Sequence, residues 1–244
     1  KPIVLLKGGR TEAGQAAAAS HTGSLAGDDR VWDALATQTG CILTETLDDF
    51  LETLLAFQML NVRAERPTER VVLFGNGGGT SVLATDYFAK LGLVINSLDG
   101  ATLATLEALK LPPGTSVVNP IDTPVMTLQT DEGRVAEKIL DTVYASGEAD
   151  AVVMHLNLAS FQGRGPIDPL DNLIQSALRT QERYPGQAHF MLVLRSDGEA
   201  ALDEIKRKYR TRANDAGIPV YDELANAARA LRSVAALEKF QAGQ

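Results

Sequence analysis

A strand, a turn and a helix follow one another within residues 71–81, which read Val71-Val72-Leu73-Phe74-Gly75-Asn76-Gly77-Gly78-Gly79-Thr80-Ser81. The first four residues are large and apolar, as in a strand that is buried on both faces of a parallel sheet. A run of glycines separates them from an amphipathic stretch that begins at Thr80. This order is typical of α/β proteins, in which ligands bind beyond the carboxyl ends of the strands.

The same alternation of short apolar runs and helix-period stretches continues along the whole chain. It predicts strands at residues 3–6, 41–44, 71–75, 93–96, 116–119, 151–156, 190–194 and 219–221. It predicts helices at residues 28–39, 47–61, 80–91, 101–109, 131–146, 168–184, 198–215 and 223–240. The fold class is therefore α/β, with a doubly wound, mostly parallel sheet.

The segment 63–70 is charged, contains a proline and interrupts the apolar periodicity, which predicts a linker between domains. The residues beyond it supply enough strands for a complete doubly wound sheet. The residues before it supply only two strands and two helices, which are too few to form a stable sheet alone. We expect residues 1–66 to be the C-terminal part of one such domain and residues 67–244 to form a second one.

Composition excludes several classes of partner. The 244 residues carry 23 Lys and Arg against 31 Asp and Glu, a net charge of −8, and no dense basic stripe. We therefore do not expect nucleic acid or membranes as partners, and we expect small-molecule substrates instead. The single cysteine, Cys41, supports neither an intrachain disulfide nor a cysteine-rich metal site, which favours a cytoplasmic protein without a bound metal. Because the chain opens on Lys1 rather than Met, we expect it to be part of a longer polypeptide.

The glycine run is a candidate phosphate-binding turn. Gly77, Gly78 and Gly79 let a ligand approach the backbone closely, and the N–H groups at the helix start, including that of Thr80, attract negative charge. The field of a helix end contributes only about 0.3–1 kcal/mol, so further ligands are needed. The alternative is that these glycines only make a tight turn.

Established nucleotide motifs fit this turn poorly. A Walker loop requires a lysine that is missing here. Gly75 and Gly77 match the dinucleotide fingerprint, but Thr80 occupies the third glycine position; Asp99, about 20 residues on, would then be the ribose-binding acid. This leaves an NAD-binding oxidoreductase domain as an alternative.

A second candidate site surrounds a histidine. Small and hydroxyl-bearing residues flank His21, namely Ala16 to Ala19, Ser20, Thr22 and Gly23. A loop of this kind suits an anion, and the imidazole can carry a phosphoryl group covalently. The alternative is a surface loop whose histidine only makes hydrogen bonds.

A third candidate site is the segment Asn119-Pro120-Ile121-Asp122 after the predicted strand 116–119. Asn119 and Asp122 are candidates to line the crevice next to the glycine turn. The alternative is that Asp122 only caps the proline turn. His155 lies inside an apolar strand and is predicted to be a core histidine.

Two stretches resemble the phosphohistidine segment of nucleoside-diphosphate-forming acyl-CoA synthetases, the ADP-forming acetyl-CoA synthetase type related to succinyl-CoA synthetase. They are Lys1-Pro2-Ile3-Val4-Leu5-Leu6-Lys7-Gly8-Gly9-Arg10-Thr11-Glu12-Ala13-Gly14 and Ser20-His21-Thr22-Gly23-Ser24-Leu25-Ala26-Gly27. The resemblance continues through residues 31–43, 70–86, 119–122 and 217–221. It implies a middle fragment with flavodoxin-like, succinyl-CoA synthetase-like domains.

The resemblance also implies a reaction, acyl-CoA + phosphate + NDP ⇌ acid + CoA + NTP, with His21 accepting and passing on the phosphoryl group. The helix that starts at Gly77 to Thr80 would be one of two whose N-termini face that group. CoA, ATP or ADP, and Mg²⁺ would be bound mainly by CoA-binding and ATP-grasp domains of the parent protein or of a separate subunit, and none tightly by this chain. We expect the chain alone to be inactive and consider a homo-oligomer. The further alternative is a non-catalytic binding or regulatory module of the same fold.

Overall fold

The computed structural model describes residues 1–22, 28–128, 130–161 and 168–244. The strands are β1 Val4–Leu6, β2 Ile42–Thr44, β3 Val71–Gly75, β4 Ile121–Asp122, β5 Ala151–Asn157, β6 His189–Arg195 and β7 Val220–Tyr221. The helices are α1 Glu12–Thr22, α2 Asp29–Thr39, α3 Leu47–Met59, α4 Gly78–Lys90, α5 Gly100–Ala108, α6 Val125–Leu128, α7 Val135–Ser146, α8 Pro169–Arg183, α9 Ala200–Asp215 and α10 Leu224–Ala242. No described helix is both long and apolar enough to cross a membrane.

The chain divides into two compact units. One comprises Lys1–Pro67 together with Arg229–Gln244, and the other comprises Thr68–Ala228. The sequence analysis placed residues 67–244 in a single domain, whereas the structure groups Arg229–Gln244, which includes most of α10, with the first unit. The physical reason is that the side chains of α10 contact residues of the first unit. The carboxylate of Glu238 is fully buried and accepts the N–H of Arg63 at 3.0 Å, and Arg229 forms an ion pair with Asp49.

The second unit contains a five-stranded sheet in the order β4-β3-β5-β6-β7, with every strand parallel to its neighbours. This is the flavodoxin-like order 2-1-3-4-5, so the predicted α/β class with a doubly wound parallel sheet is confirmed. The chain reverses its direction of winding between β3 and β5. The carboxyl ends of these two strands therefore mark the position at which such sheets bind ligands.

Both faces of the central strands are buried, as their continuous apolar sequences predict. On one face, Phe74, Met154 and Leu192 belong to a core cluster that also contains Ile139 of α7 and Leu173 of α8. This packing fixes where β3, β5 and β6 end, and so fixes the residues that follow them.

Two predicted strands are wrong. Residues 93–96 contribute only an isolated bridge, between Arg70 and Val94, and residues 116–119 form no strand. The edge strand is Ile121–Asp122 instead. The side chain of Asn119 makes hydrogen bonds to β3 of the kind expected from the predicted strand 116–119. Its amide accepts the N–H of Leu73 at 3.0 Å and donates to the carbonyl of Val71 at 2.9 Å. A polar side chain that bonds to the strand in this way cannot be recognised from apolar periodicity.

The first unit contains a two-stranded parallel sheet in which Val4 pairs with Ile42 and Leu6 with Thr44. Helix α2 has a well-formed start and end, because Asp28 accepts the N–H of Arg30 and Gly40 adopts a left-handed conformation after Thr39. None of the α2 side chains is buried. A two-stranded sheet of this size is too small to be stable without further packing partners.

Candidate functional site

The glycine turn lies at the carboxyl ends of β3 and β5, where the sheet changes its direction of winding. Gly75 ends β3 so close to β5 that a Cβ there would collide with the carbonyl oxygen of His155. The next side chain, Asn76, is buried, and its Oδ1 accepts the N–H of Asn157 at 2.8 Å. These contacts fix the backbone that leads into α4.

Asp122 caps α4 from a neighbouring strand. Gly77 precedes the helix with a φ of 123°, which favours glycine, and has no side chain to act as a cap. Its N–H instead donates to Oδ1 of Asp122 at 2.9 Å. Two backbone hydrogen bonds with Ser116, at 2.8 and 3.0 Å, hold Asp122 in position. The carboxylate therefore supplies the negative charge that a helix start favours.

The first turn of α4 presents further backbone amides beyond this cap. The N–H of Ser81 bonds to the carbonyl of Gly77 at 3.1 Å, and the N–H groups of Gly78, Gly79 and Thr80 precede it. Amides at these positions have no acceptor within the helix. Gly79 is exposed and a Cβ there would meet no atom within 4 Å, so a ligand can approach this backbone. The arrangement is chemically suited to an anion.

His155 is a buried, neutral imidazole that contacts the first turn of α4. Its burial confirms the prediction that it is a core residue. It is 1% exposed, and its Nε2 lies 3.3 Å from Oγ of Ser81. The pKa of His155 is lowered to about 4, mainly by burial; the carboxylate of Asp122 opposes this shift, and the positive charge of Arg195 contributes to it. His155 is a support of α4 and carries no charge at neutral pH.

Arg195 contacts the candidate site and was not among the residues that the sequence analysis named. It ends β6, pairs with Asn157 in the sheet register, and donates from Nη1 to Oγ1 of Thr80 at 3.4 Å. Its Nε lies 3.0 Å from Oε2 of Glu223. The sequence did contain a feature that could have identified Arg195. It directly follows the predicted strand 190–194, at the carboxyl edge of the sheet where ligands bind.

Two other candidate residues have structural partners. Besides its bonds to β3, the Asn119 amide donates to the carbonyl of Asn96 at 2.9 Å, so of the two crevice candidates only Asp122 contacts the glycine turn. Asp99 caps α5 by accepting the N–H groups of Ala101 and Thr102 at 2.7 and 2.8 Å, and these bonds lower its pKa. Asp99 therefore has a structural role as the cap of α5, which explains its position without a ribose.

The histidine segment belongs to the first unit and is helical rather than a loop. His21 is exposed in the last turn of α1, and the hydroxyl of Ser20 donates to the carbonyl of Ala17 at 2.8 Å. The alanine run and the hydrogen bond from the N–H of Gly14 to Oγ1 of Thr11 explain the helix. Thr22 ends the helix, and Gly23, a candidate phosphate ligand, lies outside the described residues.

Arg10 joins this segment to α2. Its Nε lies 2.8 and 2.9 Å from the two carboxylate oxygens of Asp29, and its Nη2 lies 2.9 Å from Asp33. These bonds raise the pKa of Arg10. The guanidinium ties the start of α1 to the start of α2, so it positions the histidine segment within its own unit. Across the described parts of both units, no group of three or more His, Cys, Asp and Glu residues is arranged to hold a metal ion.

Comparisons with known proteins agree on one family. The model for the succinyl-CoA ligase like flavodoxin domain matches residues 1–57. The chain is 30% identical to the ADP-forming acetate–CoA ligase II subunit alpha of Pyrococcus furiosus over 234 residues, which are 95% of this chain and 47% of that protein. It is 31% identical to the ligase I subunit alpha of the same organism over 242 residues, 99% of this chain and 48% of that protein.

A solved structure shares the fold. The dinucleotide forming acetyl-coenzyme A synthetase 1 of Ca. Korarchaeum cryptofilum, in complex with phosphate and ADP, superposes with a TM-score of 0.77 at 22% identity, covering 99% of this chain and 48% of that one. The chain thus spans about half the length of the curated relatives it matches. Over nearly its whole length it is a homologue of the alpha subunits of ADP-forming acetate–CoA ligases.

Proposed function

We propose that the chain is part of an NDP-forming acyl-CoA synthetase, an acid–thiol ligase that interconverts acyl-CoA, phosphate and NDP with an acid, CoA and NTP. The observation that carries this proposal is the similarity of 95 to 99% of the chain to alpha subunits of ADP-forming acetate–CoA ligases. The glycine turn at the flavodoxin-like ligand position supports it with matching chemistry.

His21 is the phosphoryl carrier in this proposal. Phosphate attacks the thioester carbonyl and displaces the CoA thiolate, which gives an acyl phosphate. An imidazole nitrogen then forms a P–N bond as the P–O bond of the acyl phosphate breaks and the acid leaves as a carboxylate, and the P–N bond breaks when an oxygen of NDP attacks phosphorus. One difficult transfer is thereby divided into two easier ones. The exposure of His21 at the end of α1 suits a group that must meet more than one reactant. Ser20, Thr22 and Gly23 are proposed to bind the phosphoryl oxygens beside it.

The N-terminus of α4 is proposed to stabilise the phosphoryl group during transfer. Charge spreads over three oxygens in such a reaction, and preorganised N–H donors stabilise it without moving. Gly78, Gly79 and Thr80 supply these donors, while Asp122 and His155 hold the turn that presents them.

CoA and ADP or ATP are proposed to bind mainly to other domains or subunits of the ligase. The relatives are named as alpha subunits, and this chain covers about half of their length. Within the first unit, Leu47, Leu51 and Leu54 of α3 and Ile3 beside β1 are exposed. Apolar surface on a two-stranded sheet is costly to leave in water, which supports a partner domain that completes this unit.

A turnover assay tests the proposal. The parent protein should form ATP from acetyl-CoA, phosphate and ADP, the His21→Asn variant should not, and the 244-residue chain alone should be inactive. Full activity in the His21→Asn parent would refute the carrier role. A parent protein that has no activity with any acyl-CoA would instead favour the non-catalytic module. Binding of NADH, followed by fluorescence, would favour an oxidoreductase domain.

A further inference from the structure

Arg195 is the cation that reaches the first turn of α4. Strand β6 ends with this residue at the same carboxyl edge as β3 and β5. Its guanidinium contacts Oγ1 of Thr80, one of the residues whose N–H groups are open. The side chain is 36% exposed, so it is accessible to a small anion.

The charge balance at the turn calls for such a cation. Asp122 already places a negative carboxylate on the N–H of Gly77. A phosphoryl group with one or two further negative charges would be repelled by this carboxylate at short range. Arg195 is the positively charged side chain that contacts the turn among the residues the structure describes, and its charge offsets that repulsion.

The bonding of Arg195 leaves donors for a ligand. A guanidinium has five N–H donors in a planar fork. Glu223 pairs with Arg195 by charge, with Oε2 3.0 Å from Nε, but Nε makes no hydrogen bond; the bond to Thr80 engages one hydrogen on Nη1. Within the described part of the chain, Nη1 and Nη2 therefore retain N–H groups. An arginine with open terminal nitrogens has the geometry that suits a tetrahedral oxyanion.

We propose that Arg195 binds the phosphoryl group at the N-terminus of α4, and that Glu223 is the positioning residue that keeps the guanidinium beside Thr80. This inference rests on the proposed function and adds a phosphoryl-binding residue to it. The carboxylate of Glu223 is half-exposed, so its attraction for Arg195 is weakened by water and leaves the guanidinium able to turn toward an incoming anion.

The test is binding of inorganic phosphate to the full 244-residue chain at constant ionic strength, followed by phosphorus NMR line broadening. Loss of a charge-assisted hydrogen bond should weaken phosphate binding about tenfold in Arg195→Gln. Arg195→Lys keeps the charge without the fork and should lie between that variant and the wild type. Arg212→Gln is the matched control, because Arg212 forms a comparable surface ion pair with Asp171 at 2.7 Å.

The outcomes separate this inference from the proposed function. Undiminished phosphate binding in Arg195→Gln, with an intact circular dichroism spectrum, would overturn the role of Arg195 and leave the proposed function standing. A wild-type chain that binds no phosphate would contradict the anion site on α4 itself and the inference with it. A loss in Arg212→Gln as large as in Arg195→Gln would show that only net charge matters and would also overturn the assignment.

Discussion

Substitution of Gly79 by alanine should stabilise the second unit and weaken phosphate binding at the same time. The structure requires glycine for a different reason at Gly77 than at Gly78, and it imposes no requirement at Gly79. Gly77 has a φ of 123°, and a Cβ on Gly78 would lie 2.8 Å from Oδ2 of Asp122. At Gly79 the fold imposes no such requirement, since a Cβ there meets no atom within 4 Å. In the proposed function, a glycine is needed there because a ligand approaches the backbone.

The expected magnitudes follow from this geometry. Alanine in a helix is favoured over glycine by about 0.5–1 kcal/mol, which raises the melting temperature of a unit of this size by about 1–4 °C. The Cα–Cβ bond of a helical residue points toward the helix N-terminus, so the new methyl group would occupy the space of an anion on the open N–H groups. Losing one such hydrogen bond should weaken phosphate binding about tenfold.

Urea unfolding and phosphate titration of the same Gly79→Ala preparation measure both effects. Gly78→Ala is the matched control, because its methyl group collides with Asp122 and should destabilise the unit. If Gly79→Ala is more stable and binds phosphate as well as the wild type does, the glycine serves only the turn. That result would refute the assignment of these amides to a phosphoryl group.

Three further predictions concern the residues around the turn. Asp122→Asn keeps an acceptor for the Gly77 N–H but removes a negative charge, so phosphate should bind a few-fold more tightly. Isothermal titration measures this affinity, and weaker binding would contradict the repulsion between Asp122 and phosphate. Because folding lowers the pKa of His155 to about 4, the unfolded chain binds more protons than the folded chain between pH 6.5 and 4. The free energy of unfolding should therefore fall by about 2–3 kcal/mol as the pH drops through this window. Urea titrations at pH 7 and 4.5 should show a smaller pH dependence for His155→Gln. Asp99→Ala removes the cap of α5 and should destabilise the second unit by about 1 kcal/mol, and an accompanying loss of NADH binding would revive the dinucleotide alternative.

Local sequence patterns predicted the parts of the fold that depend on local chemistry. The apolar run ending at Gly75 predicted β3 with its observed bounds, and the glycines after it predicted the start of α4 within two residues. A strand buried on both faces and a helix start each have a signature within about ten neighbouring residues. The sequence could not assign residues 116–119 correctly, because Asn119 completes β3 with its side chain.

The candidate site was only partly predictable for a related reason. A run of glycines is a local signal for a turn, so the turn at Gly77 to Thr80 could be predicted. The contact of Asp122 with Gly77 and that of Arg195 with Thr80 join residues 45 and 115 positions apart in sequence. Such pairs depend on the order of the strands in the sheet, which no short motif encodes. The helical form of α1 was missed because small residues around His21 suit a loop as well as a helix.

The central claim is that His21 carries a phosphoryl group. The most direct measurement incubates the parent protein with acetyl-CoA and radiolabelled phosphate and locates the label by fragmentation mass spectrometry under alkaline conditions that preserve phosphohistidine. We predict an acid-labile phosphate on His21, absent from the His21→Asn variant. A label on another residue, or no label in a parent protein that turns over acetyl-CoA, would contradict this account.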